Sequence, residues 1–250
     1  MTDRPSPSPR KPPSSKRPGQ AQIVAELGTM ILRGDYPVGT NLPNEAELTE
    51  RFSVSRTVIR EVMKTLAAKG LVVAKTKIGT RVADRMIWNM FDVDVLAWRV
   101  EAGMDRSFLK SLFEVRLAVE PASAALAAIH RTADDIEIMR GHVEEMAASG
   151  HTKASFADAD LKLHLAIANA SGNPFMRSIG AIIEAALGAA FALSSPVEDL
   201  ARHRRSAREH GAIVDAIEAR DPGKASEAML KVIEEGMRNR SGALEDAVSV

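Results

Sequence analysis

The segment Ser53-Val54-Ser55-Arg56-Thr57-Val58-Ile59-Arg60-Glu61-Val62-Met63-Lys64 admits few folds. It reads as a turn followed by a helix with two incompatible faces. Ile59, Val62, Met63 and Leu66 recur at helical spacing and need a core to dock on. Arg56, Arg60 and Lys64 recur every four residues and need water or an anion. Ser53, Ser55 and Thr57 crowd the helix start, where a small hydroxyl caps the helix or bonds a phosphate. A helix that docks one face and offers guanidinium groups on the other suits reading of a DNA major groove. Taken alone, the stripe is also what a solvated surface helix carries, so the neighbouring segments decide.

Upstream, Ile23, Leu27 and Ile31 form an apolar stripe that ends in the turn-rich run Gly34-Asp35-Tyr36-Pro37-Val38-Gly39. Asn44 and Glu47 have capping-box spacing and open a second short helix through Phe52. After Gly70, Leu71 to Lys77 and Thr80 to Ala83 read as two short strands around Ile78-Gly79. Three helices and a hairpin predict a winged helix-turn-helix over residues 19–85, with Lys75, Lys77 and Arg81 making the wing basic. Charge agrees. Residues 1–85 hold 15 Lys and Arg against 8 Asp and Glu, and residues 86–250 hold 18 against 25. A formal net charge of zero thus hides a basic front and an acidic back, and only the front is expected to meet a polyanion. Residues 1–18 contain half of the 12 prolines and five Arg or Lys, and read as a disordered basic tail.

Residues 86–105 contain both tryptophans and read as a linker helix. Trp88, Phe91, Leu96 and Trp98 together imply packing between domains or against a partner subunit. Beyond Arg106 the pattern is helical, with segments near 106–128, 133–148, 154–170, 174–194, 199–220 and 222–238. The fold class is therefore mainly α: the winged head, then an all-helical bundle of six to seven helices over residues 106–240, then a tail at 241–250. No apolar run is long enough to span a bilayer, and the polar start lacks a secretory signal. The absence of cysteine excludes disulfides and thiolate metal sites, and a cytoplasmic protein is expected.

Polar residues interrupt the apolar faces of the bundle. Asp160 and His164, four apart, project from one side of one helix. His210 aligns with Ile213, Val214 and Ile217 and should also point inward. A buried carboxylate needs a partner or a cation, so these three residues make a candidate divalent-metal site. Ordinary hydrogen-bonded core histidines are the competing account. Arg116 lies among Leu112, Phe113 and Leu117 and wants an anion there. Either Glu120, one turn on, supplies it, or Arg116 takes the carboxylate of a small effector.

The runs Leu32 to Glu45, Phe52 to Val62, Leu66 to Leu71 and Gly79-Thr80-Arg81-Val82 resemble the DNA-binding domain of the GntR family. Glu114 to Pro121, Asp160 to His164 and Glu209 to Ile217 are similar to the effector domain of its FadR (FCD) branch. The resemblance implies a homodimeric regulator, expected to be a repressor, on double-stranded palindromic operator DNA. It maps recognition onto Arg56, Thr57 and Arg60, and a wing-tip minor-groove role onto Gly79 and its neighbours. With the basic stripe, the DNA-binding set is Ser55, Arg56, Thr57, Arg60, Lys64, Lys77, Gly79, Thr80 and Arg81. Ala46 stands where many members carry a DNA-contacting arginine.

In the effector domain the resemblance implies a small carboxylic acid bound by Arg116, Asp160, His164 and His210. It also implies a divalent metal (Zn, Ni or Mn) on Asp160, His164 and His210. The usual fourth ligand position falls at Val232, which cannot coordinate, and His203, seven before His210, is an outside candidate for the gap. The run Trp88 to Trp98 is similar to the linker of members that respond to sugar acids, which favours such an effector. The alternative is a metal-dependent enzyme acting on a small acid, with a DNA-binding domain attached. No His-Glu-x-x-His motif, phosphate loop or nucleophile elbow supports it.

Overall fold

The computed structural model describes residues 18–75, 79–197 and 199–248, and the chain divides after Trp88 into two compact units. Lys77, assigned above to the wing, lies outside the described residues.

The first unit is built on α1 (Gln20–Arg33), α2 (Glu45–Phe52) and α3 (Arg56–Ala68). Ile23, Leu27 and Ile31 of α1, Leu48 of α2, and Ile59, Val62 and Leu66 of α3 are all essentially inaccessible to solvent. Asn44 and Glu47 form the reciprocal capping box that starts α2, and Ser53 ends α2 in the left-handed region at φ 53°. Arg51 ties the helices together by donating to Glu26 on α1 and to the Tyr36 hydroxyl. The hairpin pairs β1 (Val72–Lys75) antiparallel with β2 (Gly79–Val82), register Val72 opposite Val82 and Lys75 opposite Gly79.

One pairing was not legible as a strand. Residues 39–42, read above as turn and connection, lie along the free edge of β2. Gly39 N–H donates to Val82, Leu42 N–H to Thr80, and Val82 N–H to Thr40. Gly39 has φ +81°, and an added Cβ would come within 3.0 Å of the Arg81 guanidinium. Glycine is therefore required there both by backbone conformation and by the arginine lying across it.

The expected linker helix over 86–105 is not continuous. Arg85–Ile87 form one 3-10 turn, residues 88–92 are non-helical, and α4 spans Val93–Glu101. Trp88 donates its indole N–H to the Ala83 carbonyl, which holds it on the first unit. Asp92 caps α4 through the N–H groups of Asp94 and Val95 and so forbids helix before it. Trp88, Leu96 and Trp98 are buried as their type demands, but Phe91 is 54 % exposed.

Among the described residues the second unit is a bundle of seven helices: α4, α5 (Arg106–His130), α6 (Ala133–Ala147), α7 (Lys153–Ala170), α8 (Pro174–Ser194), α9 (Leu200–Glu218) and α10 (Pro222–Val248). Starts are set by side-chain caps: Asp105, Thr132, Thr152, Asn173 followed by Pro174, and Asp199. α7 packs against α5, α6 and α8, and is buried on nearly every side. α9 and α10 pack on each other and on α5. The helical backbone of α10 continues into the segment expected to be a tail, residues 241–248. Ala243, Leu244, Glu245 and Ala247 are good helix formers, and Gly242 costs only about 1 kcal/mol. No helix among the described residues is long and apolar enough to cross a membrane.

Candidate functional site

In the first unit α3 separates its faces. Ile59, Val62 and Leu66 are buried, while Arg56, Thr57, Arg60 and Lys64 are exposed. Ser55 is committed to structure: its hydroxyl caps α3 by accepting from Val58 N–H at 3.4 Å. Arg60 donates from Nε to both oxygens of Glu45, at 3.2 and 3.1 Å, and so arrives at the helix surface pre-oriented. Lys64 pairs with Glu61 at 2.7 Å. Arg56 makes no ion pair with the described residues. At the wing, Gly79 adopts φ +105° and is exposed, and Thr80 uses its carbonyl to hold Leu42. Arg81 is not displayed as a free wing cation, because it donates to the Gly39 carbonyl.

In the second unit three predicted residues converge although they come from two helices. One ligand atom each from Asp160, His164 and His210 lies within 4.8 Å of the other two. Asp160 Oδ1 is 3.2 Å from His164 Nε2 and 3.1 Å from His210 Nε2. The remaining ring nitrogens are spoken for. His210 Nδ1 donates to the Ser206 carbonyl at 2.8 Å, which can only accept. His164 Nδ1 lies 2.5 Å from Glu120 Oε2. In the neutral rings both protons therefore sit on Nδ1, and two Nε2 lone pairs face a carboxylate oxygen. Three acceptors aimed at one point repel unless a proton or a metal cation joins them. Asp160 Oδ1 and His210 Nε2 are buried and, among the described residues, reach no partner with hydrogen-bond geometry.

Sequence reasoning missed the double role of Glu120. It accepts from Arg116 Nε at 2.6 Å and Nη2 at 3.3 Å while also holding His164. A carboxylate behind a histidine is the arrangement that orients metal-ligating imidazoles. The available signal was spacing, since Arg116 and Glu120 are four apart, but the third partner sits on another helix. Burial by itself pushes the Glu120 carboxyl up, yet Arg116 and His164 overcome it and hold it at about 2. Burial opposes charge on His164, but Glu120 and Asp160 raise it to about 9. Asp160 is likewise desolvated, and the two histidines bring it well below the usual carboxylate range.

These residues line a pocket of about 50 Å³, open at one side, whose walls include Arg116, Asp160, His164, Arg202, His210 and Val232. Val232 stands in the wall as expected, an apolar surface where a fourth ligand would be. His203 does not fill the gap. It is buried, contacts the Met146 carbonyl through Nε2 at 2.7 Å, and packs edge-on against Phe156 and His151.

Comparison with known proteins bears on both units. Residues 20–82 match the family described as bacterial regulatory proteins, gntR family, and residues 111–235 match the FCD domain. The galactonate operon transcriptional repressor of Escherichia coli (strain K12) is 36% identical over 217 residues, covering 87% of this chain and 94% of that one. The HTH-type transcriptional repressor NanR of Enterobacter sp. (strain 638) is 30% identical over 226 residues, covering 88% and 84%. The solved structure of E. coli McbR/YncC superposes with a TM-score of 0.51 at 15% identity, covering 90% and 98%, and supports the fold alone. The chain is therefore a member of the GntR family of DNA-binding transcriptional regulators, in the branch whose second domain is FCD.

Proposed function

We propose that the chain is a repressor that binds a short palindromic operator as a homodimer and is released by a small hydroxy acid. A sugar acid is favoured, held in the bundle cavity beside a divalent cation on Asp160, His164 and His210. The observation that carries the reading is the meeting of one carboxylate oxygen and two imidazole Nε2 atoms whose rings are already oriented from behind. The relatives named as repressors, one of a galactonate operon, support the direction of control and the class of acid.

Each residue has a definite task. The Ser206 carbonyl holds His210, Glu120 holds His164, and Arg116 holds Glu120. Val232 leaves one side of the centre open to an effector oxygen. A bound divalent cation would supply a Lewis-acidic anchor for that oxygen. At the other unit, α3 enters a major groove with Thr57, Arg56 and Arg60 forward; Ser55, Lys64, Gly79, Thr80, Arg81 and Lys77 complete the interface.

A route between the functions runs through packing. Leu161, next to Asp160, shares an apolar cluster with Leu96 of α4, the helix that follows the DNA-binding unit in the chain. A shift of α7 on ligand binding is thereby passed to α4. Reciprocity requires operator DNA to weaken effector binding by the factor that effector weakens DNA binding.

A thermal-shift series on purified protein tests the reading, using D-galactonate, D-gluconate and simple dicarboxylates, each with EDTA or with added zinc. A bound acid raises the melting temperature by mass action. Stabilisation by an aldonate that zinc deepens and EDTA abolishes is the expected result. Stabilisation indifferent to EDTA would remove the metal from the proposal. No response to any acid would sink the effector reading.

A further inference from the structure

Arg116 was the one arginine the sequence offered to an effector carboxylate, and the structure gives it to Glu120. The same cavity contains two other arginines, both on α9. Arg205 is paired with Glu235 at 2.7 Å. Arg202 is different. Its Nε is buried and, among the described residues, has no hydrogen-bond partner, and no ion pair with a described residue engages its guanidinium. Glu235, which feels the Arg202 charge, already accepts from Arg205 and, at 2.8 Å, from Arg238. A second such atom lies in the same wall: the Ser195 hydroxyl, at the end of α8, is also buried without a partner among the described residues. Buried polar atoms left unmade cost about 1–3 kcal/mol each, and natural folds seldom leave two in one wall without a use. A donor fork and a hydroxyl, both facing a cavity whose other pole is an Asp–His–His centre, match an acid that also carries hydroxyl groups.

We infer that Arg202 is the ionic partner of the effector's carboxylate, with Ser195 Oγ bonding an adjacent hydroxyl, and that Arg116 is a positioning residue acting through Glu120 on His164. The inference rests on the reading that a sugar acid occupies this cavity. It adds the residue that tells an acid from a neutral polyol. Charge-assisted bonds to a guanidinium are the strong ones, and the planar fork suits a carboxylate better than an ammonium does.

The test is calorimetric titration of the full chain, with zinc present, by D-galactonate and by its uncharged amide, D-galactonamide. For wild type, the acid should bind more tightly than the amide. Arg202→Met should weaken the acid by roughly thirtyfold while changing the amide by about twofold or less. Arg202→Lys should recover part of the loss, and the melting temperature of Arg202→Met without ligand should stay close to wild type, since Arg202 Nε bonds no described residue. Equal weakening of acid and amide would mean that Arg202 shapes the cavity without pairing charge, and would overturn the inference. So would wild-type affinity of Arg202→Met for the acid; in both cases the sugar-acid reading survives. If wild type binds neither D-galactonate nor D-gluconate, that reading fails and takes the inference with it.

Discussion

The recognition helix and the bundle centre use the same kinds of side chain to opposite ends. On α3, Arg60 and Glu45 meet at 3.1 Å with 66 % and 44 % of their side chains exposed. Beneath α9, Glu120 and His164 meet at 2.5 Å with 12 % and 3 % exposed. An exposed pair contributes about 1 kcal/mol or less, so Arg60 can leave Glu45 for a base edge or a phosphate at little cost. A buried network is worth much more to break than it is to form, because each charge was desolvated to enter it. The first arrangement keeps a charge available; the second fixes which nitrogen bears a proton. One unit is thereby equipped to meet a polyanion reversibly, and the other to hold two imidazoles in fixed orientation toward Asp160.

The contrast is sharpest in substitutions. Glu120→Ala removes the carboxylate on which both Arg116 and His164 rest. It should destabilise the protein by about 3–5 kcal/mol in urea unfolding, as removal of one member of a buried pair does. A loss below about 1 kcal/mol would put this network on a par with a surface one. Arg60→Ala should show the reverse profile. Folding stability stays within about 1 kcal/mol of wild type, whereas operator affinity falls by about 1–3 kcal/mol if Arg60 reads a base. Unchanged affinity and salt dependence would remove Arg60 from the interface.

Acidity divides the units further, since the shifts that bear on this comparison belong to the centre. His164 is raised from 6.5 to about 9, so its contribution to stability is complete below pH 6.5 and is lost as pH rises through 9. Glu120 is lowered from 4.5 to about 2, so its contribution is complete above pH 4.5 and is lost as pH falls through 2. With EDTA present, the urea midpoint should be highest between about pH 4.5 and 6.5 and decline on either side. Zinc competes with the His164 proton and should flatten the alkaline decline. A midpoint that keeps rising from pH 6.5 to 9 in EDTA would contradict the His164 assignment. The smallest effect is expected at Ser55→Ala. It removes a long capping bond at 3.4 Å, and should cost about 0.5–1 kcal/mol by denaturation while sparing effector binding.

Much of this was legible because it is local. The periodicity of Ile59, Val62 and Leu66 against Arg56, Arg60 and Lys64 already defines which face of α3 is buried, for any tertiary context that supplies a core. Asn44 with Glu47, and Asn173 before Pro174, announce helix starts through bonds that span two or three residues. One failure falls where a distant partner intervenes, the other where a short-range bond was overlooked. Residues 39–42 look like turn alone until β2 offers them an edge. The 86–105 linker looks helical until the Trp88 indole is drawn back to Ala83.

The sequence by itself determined the two-part organisation, the two-faced recognition helix, and the placing of Asp160, His164 and His210 on inward faces. Helical spacing and the cost of burying polar groups are enough for that. Only the tertiary structure decided what those groups meet. It joined Glu120, already within helical reach of Arg116, to His164, turned His203 toward Met146, drew Arg81 across Gly39, and left Arg202 facing the cavity. Periodicity reports the direction in which a side chain leaves its own helix. Which acceptor waits across 3 Å depends on how helices far apart in sequence are brought together, and no spacing within one helix encodes that.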